Sequence, residues 1–174
     1  LELHEKITIP GLITNAESWS LLKGELDEIE RIETQAIKYL LDLPIHIPTP
    51  AIIYSFGLLY TRNRIENKRL LYLHKILNRY ETHWTKVTLQ ILDHLNIGWA
   101  KSIRQSLHHL NLPTDFQTIR SIPSKEWTNM VKEQIEINNT RMLTEQCYRR
   151  ENGVKIAKTK TSHIIDQVTH DNYK

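Results

Sequence analysis

Residues 40–59 read LLDLPIHIPTPAIIYSFGLL. Pro44, Pro48 and Pro50 stand close together there, between two apolar runs. Proline fixes φ, lacks a backbone N–H and biases the residue before it away from helix. Pro44 is therefore expected to end the preceding helix and PIHIP to be extended. TPAIIYSFG then reads as a short helix with both ends marked. Thr49 suits the N-cap, Pro50 the first helical position, and Gly57 the left-handed residue past the end. Its body is almost wholly apolar, so Ile52, Ile53 and Phe56 are expected to be buried. The prolines then form a shaped corner between helices rather than a loose loop.

Upstream of the corner, KGELDEIERIETQAIKYLLDL carries Leu26, Ile29, Ile32 or Glu33, Ala36 or Ile37, and Leu40 at three- and four-residue steps. That is a helical stripe, and it predicts a helix over 24–42. Acidic residues crowd its first turns and Lys38 lies near its end, which suits the helix dipole. The start of the chain is mixed, with Pro10 and Gly11 interrupting an apolar stretch.

Downstream, YTRNRIENKRLLYLHKILNRYETHW is the most informative segment. Wound at about 100° per residue, Ile65, Tyr72, Leu73, Ile76, Leu77 and Tyr80 form one broad apolar face. Arg64, Lys68, Lys75 and Arg79 share an arc of about 60° on a different face. Arg69 departs from that split and falls at the rim of the apolar side. Thr61 is placed to cap the helix. A helix with a core face and a basic stripe can grip a phosphate backbone while docked on its own domain. The blander alternative is a solvated helix face.

Two more helices follow, split near Gly98, with Trp99, Ile103, Leu107 and Leu110 keeping the step. NLPTDFQTIRSIPS is a linker, and Ser124 is placed to cap a long helix that runs to about residue 150. The fold class predicted is all-α: an irregular bundle of about five to six helices with a less ordered basic C-terminal tail. The division expected is a thumb-like bundle over 1–111 and, over 112–174, a linker with that long helix and the tail. Trp19, Trp84, Trp99 and Trp127 read as core anchors, and Tyr60, Tyr72 and Tyr80 as core before base-stacking rings.

Composition agrees with one domain and an extended tail: 174 residues, 40% hydrophobic and 25% charged, with glycine scarce at five. The chain starts at Leu1 rather than methionine, so a piece of a longer protein is expected. No apolar run reaches the roughly 20 residues that span a bilayer, so no membrane partner is expected. Cys147 is the single cysteine, which excludes an intrachain disulfide and thiol-rich zinc sites and suits a reducing compartment. Cationic neighbours at Arg149 and Arg150 favour thiolate, but a base partner is missing nearby in sequence and a buried thiol is the simpler reading. The net charge of +3 hides an asymmetry: residues 1–60 hold four Lys or Arg against nine Asp or Glu, and residues 61–120 hold ten against four. An acidic start beside a basic middle points to a polyanion on one surface and another use for the other.

No catalytic constellation stands out. There is no glycine-rich phosphate loop, no G-x-S-x-G and no H-E-x-x-H. The aspartates are scattered singly, without the pair a two-metal polymerase site needs. His108 and His109 are neighbours and point to different helix faces. No catalytic residue, metal, cofactor or small-molecule ligand is expected.

IPGLITNAESWSLL, LDEIERIETQAIKYLLDLP, TPAIIYSFGLL and RNRIENKRLLYLHKIL, in that order, resemble the region just after the polymerase core of non-LTR, LINE-type retrotransposon reverse transcriptases. The similarity covers about residues 7–80; HLNLP, KEWTNMVKEQI and KIAKTKTSHI more faintly resemble the linker of elements with a C-terminal restriction-like endonuclease. The resemblance implies a thumb, a helical bundle that packs on the polymerase palm and grips template–primer. It implies RNA or an RNA–DNA duplex and the parent polymerase's palm as partners, and an intracellular protein, nuclear or cytoplasmic. The palm aspartates, the zinc knuckle and the nuclease carboxylates of that family are absent, so neither polymerisation nor cleavage is expected of this chain alone. The carried-over phosphate contacts are Arg62, Arg64, Lys68, Arg69, Lys75 and Arg79. The rival reading is a helical protein-interaction module without a nucleic-acid role, using the acidic 25–33 face or the helix from Ser124. Acidic residues of the first 60 lying over the basic face would favour it.

Overall fold

The computed structural model describes residues 4–20 and 23–151. All regular structure among them is helical. A π-helical turn, His4–Thr8, leads into α1, Ile9–Leu12, and a 3-10 turn follows at Ala16–Ser18. Then come α2 (Lys23–Leu40), α3 (Thr49–Ser55), α4 (Thr61–Leu77), α5 (Trp84–His94), α6 (Gly98–His109), α7 (Phe116–Ser121) and α8 (Ser124–Glu151). The count exceeds the five to six expected because α1 and α7 are single short turns inside segments read as mixed or linker. The expected basic tail and the Cys147 side chain lie outside what is described.

The architecture is organised around α4. Helices α2, α5, α6, α7 and α8 and the 3-10 turn all pack on it. Ile65, Leu70, Leu73, Ile76 and Leu77 of α4 are buried; Ile65 packs with Ile9, Ile13 and Ala16, and the other four belong to the main apolar cluster. That cluster joins Leu70, Leu73 and Ile76 to Leu89 of α5, Ile103 and Leu107 of α6, Ile119 of α7 and Trp127, Val131 and Ile135 of α8. Burial at about 25 cal/mol per Å² of apolar surface makes this the main source of stability. Trp127 is fully buried and donates its indole N–H to the Leu70 carbonyl at 3.1 Å. This cluster takes residues from both sides of residue 111, so α8 shares a core with α4.

A second cluster gathers Ile37, Ile52, Ile53, Leu58 and Tyr60 with Met142 and Leu143 of α8. It sits under the proline corner. Gly57 has φ 60°, as expected, while Pro50 is the second residue of α3 rather than the first. Ile52 and Ile53 are buried, but Phe56 is only half-buried. The stop of α2 differs from expectation. Asp42, at φ 50°, takes the left-handed position. Leu43 N–H then bonds Lys38 O at 2.8 Å and Asp42 N–H bonds Tyr39 O at 3.3 Å, which closes a Schellman motif before Pro44 acts. PIHIP is a turn rather than extended, with Ile47 N–H on Pro44 O at 3.1 Å and the Lys38 ammonium on Ile45 O at 2.7 Å.

The same left-handed device closes α3 at Gly57, α5 at Asn96 and α6 at Asn111. An apolar residue follows each time: Leu58, Ile97 and Leu112, whose N–H groups bond Ile53, Leu92 and Leu107. Four helices thus stop by one mechanism, three of them with Asp or Asn rather than glycine.

The start of α4 is capped from outside. Thr49 and Thr61 make no side-chain caps; each is the first helical residue, after Pro48 and Tyr60. Asn139 of α8 accepts Tyr60 N–H at 3.1 Å, and Glu30 of α2 accepts Arg62 N–H at 3.3 Å. Two neighbouring helices therefore satisfy donors that a local cap would have served.

Candidate nucleic-acid interface

The six basic positions from Arg62 to Arg79 fall into three environments. Arg62 and Arg69, seven positions apart, lie on the packed side of α4. Arg62 Nε and Nη2 donate to the two Glu30 carboxylate oxygens at 2.6 and 2.5 Å, and Nη2 also reaches Asp27 Oδ1 at 2.8 Å. The fork with Glu30, aided by Asp27, pushes the guanidinium pKa further above its ordinary value. Arg69 is 7% exposed and donates to Glu66 Oε2 at 3.0 Å and to Ser102 Oγ at 2.7 Å. These two arginines are engaged inside the bundle.

Arg64 and Lys68 form the middle group. Arg64 Nε donates to Leu59 O and Lys68 Nζ to Ile13 O, each at 3.1 Å, and both side chains are half-buried. They tie α4 to neighbouring backbone while keeping part of their surface in solvent.

Lys75 and Arg79 form the exposed group. Both are open to solvent, and neither makes an ion pair among the described residues. Arg79 Nη1 lies 2.6 Å from His83 Nε2. On the other side of the ring, His83 Nδ1 accepts the Thr85 N–H at 3.3 Å, which caps α5, and lies 2.8 Å from Thr85 Oγ1. Lys86 lies beside them, 4% exposed, donating to Arg79 O at 3.1 Å and to Glu81 Oε1 at 2.8 Å. Arg120 of α7 reaches the same Glu81 oxygen at 2.8 Å. Glu81 is thereby held below the usual carboxylate range, mainly by the hydrogen bond from Lys86. Lys86 and Arg120 share one carboxylate, while Arg79, close by in the chain, and Lys75, a turn earlier, have none, so this corner carries a local positive excess.

The helix wheel placed Tyr80 on the core face and read Trp84 as a core anchor; both are exposed, at 70% and 72%. The cause is the end of α4 at Leu77, with Asn78 as its C-cap. Past that point the chain turns, and an angle extrapolated along the helix no longer gives a side chain's direction. Trp19 and Trp99 are half-buried, Trp99 donating its indole N–H to Glu17 O at 3.0 Å. Lys86 and Arg120 were missed as neighbours of the stripe because they lie on α5 and α7. Only the fold brings them to Glu81.

Among the described residues no group of three or more His, Cys, Asp or Glu could hold a metal ion, and no helix is long and apolar enough to cross a membrane. A groove of 820 Å³ beside α2 is lined by Asp27, Glu30, Lys38, Tyr60 and Arg62 among others, and its Asp27, Glu30 and Arg62 are already paired with one another. No protein-family model matches the chain, and neither does any curated protein or solved structure.

Proposed function

We propose that the chain is a non-catalytic module that holds a nucleic-acid backbone by ionic contact, with the C-terminal end of α4 as its gripping surface. What supports this is the exposure of Lys75 and Arg79 without opposing carboxylates, beside a corner where Lys86 and Arg120 neutralise Glu81. Contact of this kind is sequence-independent and weakens with salt. Arg64 and Lys68 extend the same face by their solvent-facing portions. Arg62 and Arg69 serve the scaffold. The finer reading is the thumb and linker of a LINE-type reverse transcriptase, packed on its palm and holding template–primer. It rests on the motif order over residues 7–80. A filter-binding titration with an RNA–DNA duplex tests the proposal: Lys75→Glu with Arg79→Glu is expected to weaken binding more than tenfold at low salt. Equal binding by the variant and the parent chain would sink it.

One observation favours the rival protein-interaction reading. Trp84, Val87, Ile91 and Leu95 are exposed at helical spacing along α5. The acidic cover that this reading also predicted is found over Arg62, from Asp27 and Glu30, and not over Lys75 or Arg79.

A further inference from the structure

The rings at the end of α4 form a group of their own. Tyr80 meets His83 edge-on, with centroids 5.1 Å apart and planes at 70°. His83 lies nearly parallel to Trp84, with centroids 6.1 Å apart and planes at 24°. His83 is held between Arg79 and Thr85, which fixes the middle ring. Tyr80 and Trp84 on either side keep most of their surface in water. Exposed aromatics of this size are costly to hydrate, and here they stand next to Arg79, one turn from Lys75.

We propose that Tyr80 and Trp84 are a stacking platform for unpaired nucleobases, so that this corner takes a single-stranded segment or strand end in preference to a closed duplex. The inference rests on the nucleic-acid reading above and names the form of nucleic acid it favours. Lys75 and Arg79 hold the phosphates, and the two rings offer π faces to whichever bases follow. Every base has such a face, so the preference is for strandedness rather than sequence. A base-paired duplex keeps its bases stacked on one another and gains only the ionic part.

Anisotropy titrations of the full chain with a labelled single-stranded oligoadenylate and with a blunt RNA–DNA duplex of equal phosphate count test this. Tyr80→Ala with Trp84→Ala is expected to weaken single-strand binding roughly tenfold or more, since stacking acts base by base, and to leave duplex binding within twofold. Lys75→Glu with Arg79→Glu is expected to weaken both. Trp84→Phe keeps a ring and is expected to retain most single-strand affinity while losing the quenching of tryptophan fluorescence on binding. Unchanged single-strand affinity in the double alanine variant overturns the stacking proposal, leaves the ionic reading standing, and assigns the rings to a protein contact. An equal loss for both ligands overturns it too. Binding of neither ligand by the parent chain removes the ionic reading and the platform with it.

Discussion

Arg62 and Glu30 face each other across the junction of α4 and α2, with both carboxylate oxygens taken by one guanidinium at 2.6 and 2.5 Å. Glu30 also receives the Arg62 backbone N–H, so a single carboxylate caps one helix and clamps it to another. Glu30→Ala is expected to cost about 2 kcal/mol, the scale of charge-assisted hydrogen bonds lost from a partly buried site. Chemical denaturation of the variant checks the figure. Nucleic-acid affinity of the folded variant is expected to stay within twofold, because Arg62 belongs to the scaffold. A large loss of affinity with unchanged stability would move Arg62 back to the interface.

Asn63 and Asn139 lock α4 to α8. Asn63 Nδ2 donates to Asn139 Oδ1 at 2.9 Å, the same oxygen accepts Tyr60 N–H, and Asn138 Nδ2 donates to Asn63 Oδ1 at 2.9 Å. Removing one member leaves buried donors without partners. Asn139→Ala is therefore expected to cost about 3 kcal/mol, while Asn129→Ala, at an exposed position of the same helix, stays within about 0.5 kcal/mol. Denaturant midpoints of the two variants give the comparison.

Asn111 closes α6 at φ 53°. A β-branched residue pays a steric cost there that Asn and Gly largely avoid. Asn111→Val is expected to lower stability by about 1–2 kcal/mol, and Asn111→Gly to leave it unchanged or slightly raised. Thermal unfolding of the pair decides whether the backbone conformation or the side chain sets the effect.

Much of this fold is legible in the sequence, and the reasons for the misses are physical. The helices α2 and α4, a helical turn at Pro50 and the left-handed Gly57 follow from local chemistry, although α3 starts one residue earlier, at Thr49, and Ile32 and Leu40 of the α2 stripe are exposed. Asp42, Asn96 and Asn111 use the same left-handed stop, but these residues are also common in turns and caps, so their signal is weaker than glycine's. The caps on α4 come from Glu30 and Asn139, which only the tertiary fold brings near Tyr60. The basic stripe was visible as a pattern, yet its division was not. Arg62 and Arg69 share the packed side, and Tyr80 leaves it because α4 stops at Leu77.

Asp115 gives the fold a pH dependence. Its Oδ2 accepts both the Thr118 hydroxyl and the Thr118 N–H at 2.7 Å, and these bonds hold its pKa below the ordinary value. Glu81 is lowered likewise beside Lys86 and Arg120. The folded protein binds these protons less tightly than the unfolded chain. Their contribution is therefore full above about pH 5 and is lost as the pH falls through the lower folded values. Asp115→Asn keeps a capping oxygen without the titration, so its stability is expected to fall less steeply than the parent's below pH 4. Urea unfolding across that range reads the difference.

The salt dependence of binding to an RNA–DNA duplex tests the central claim most directly. If Lys75 and Arg79 each neutralise a phosphate, replacing both by alanine removes about two counterions from the exchange. The slope of log K against log salt is then expected to shrink by about two, with stability unchanged because both residues are exposed. A slope identical to that of the parent chain would contradict the account.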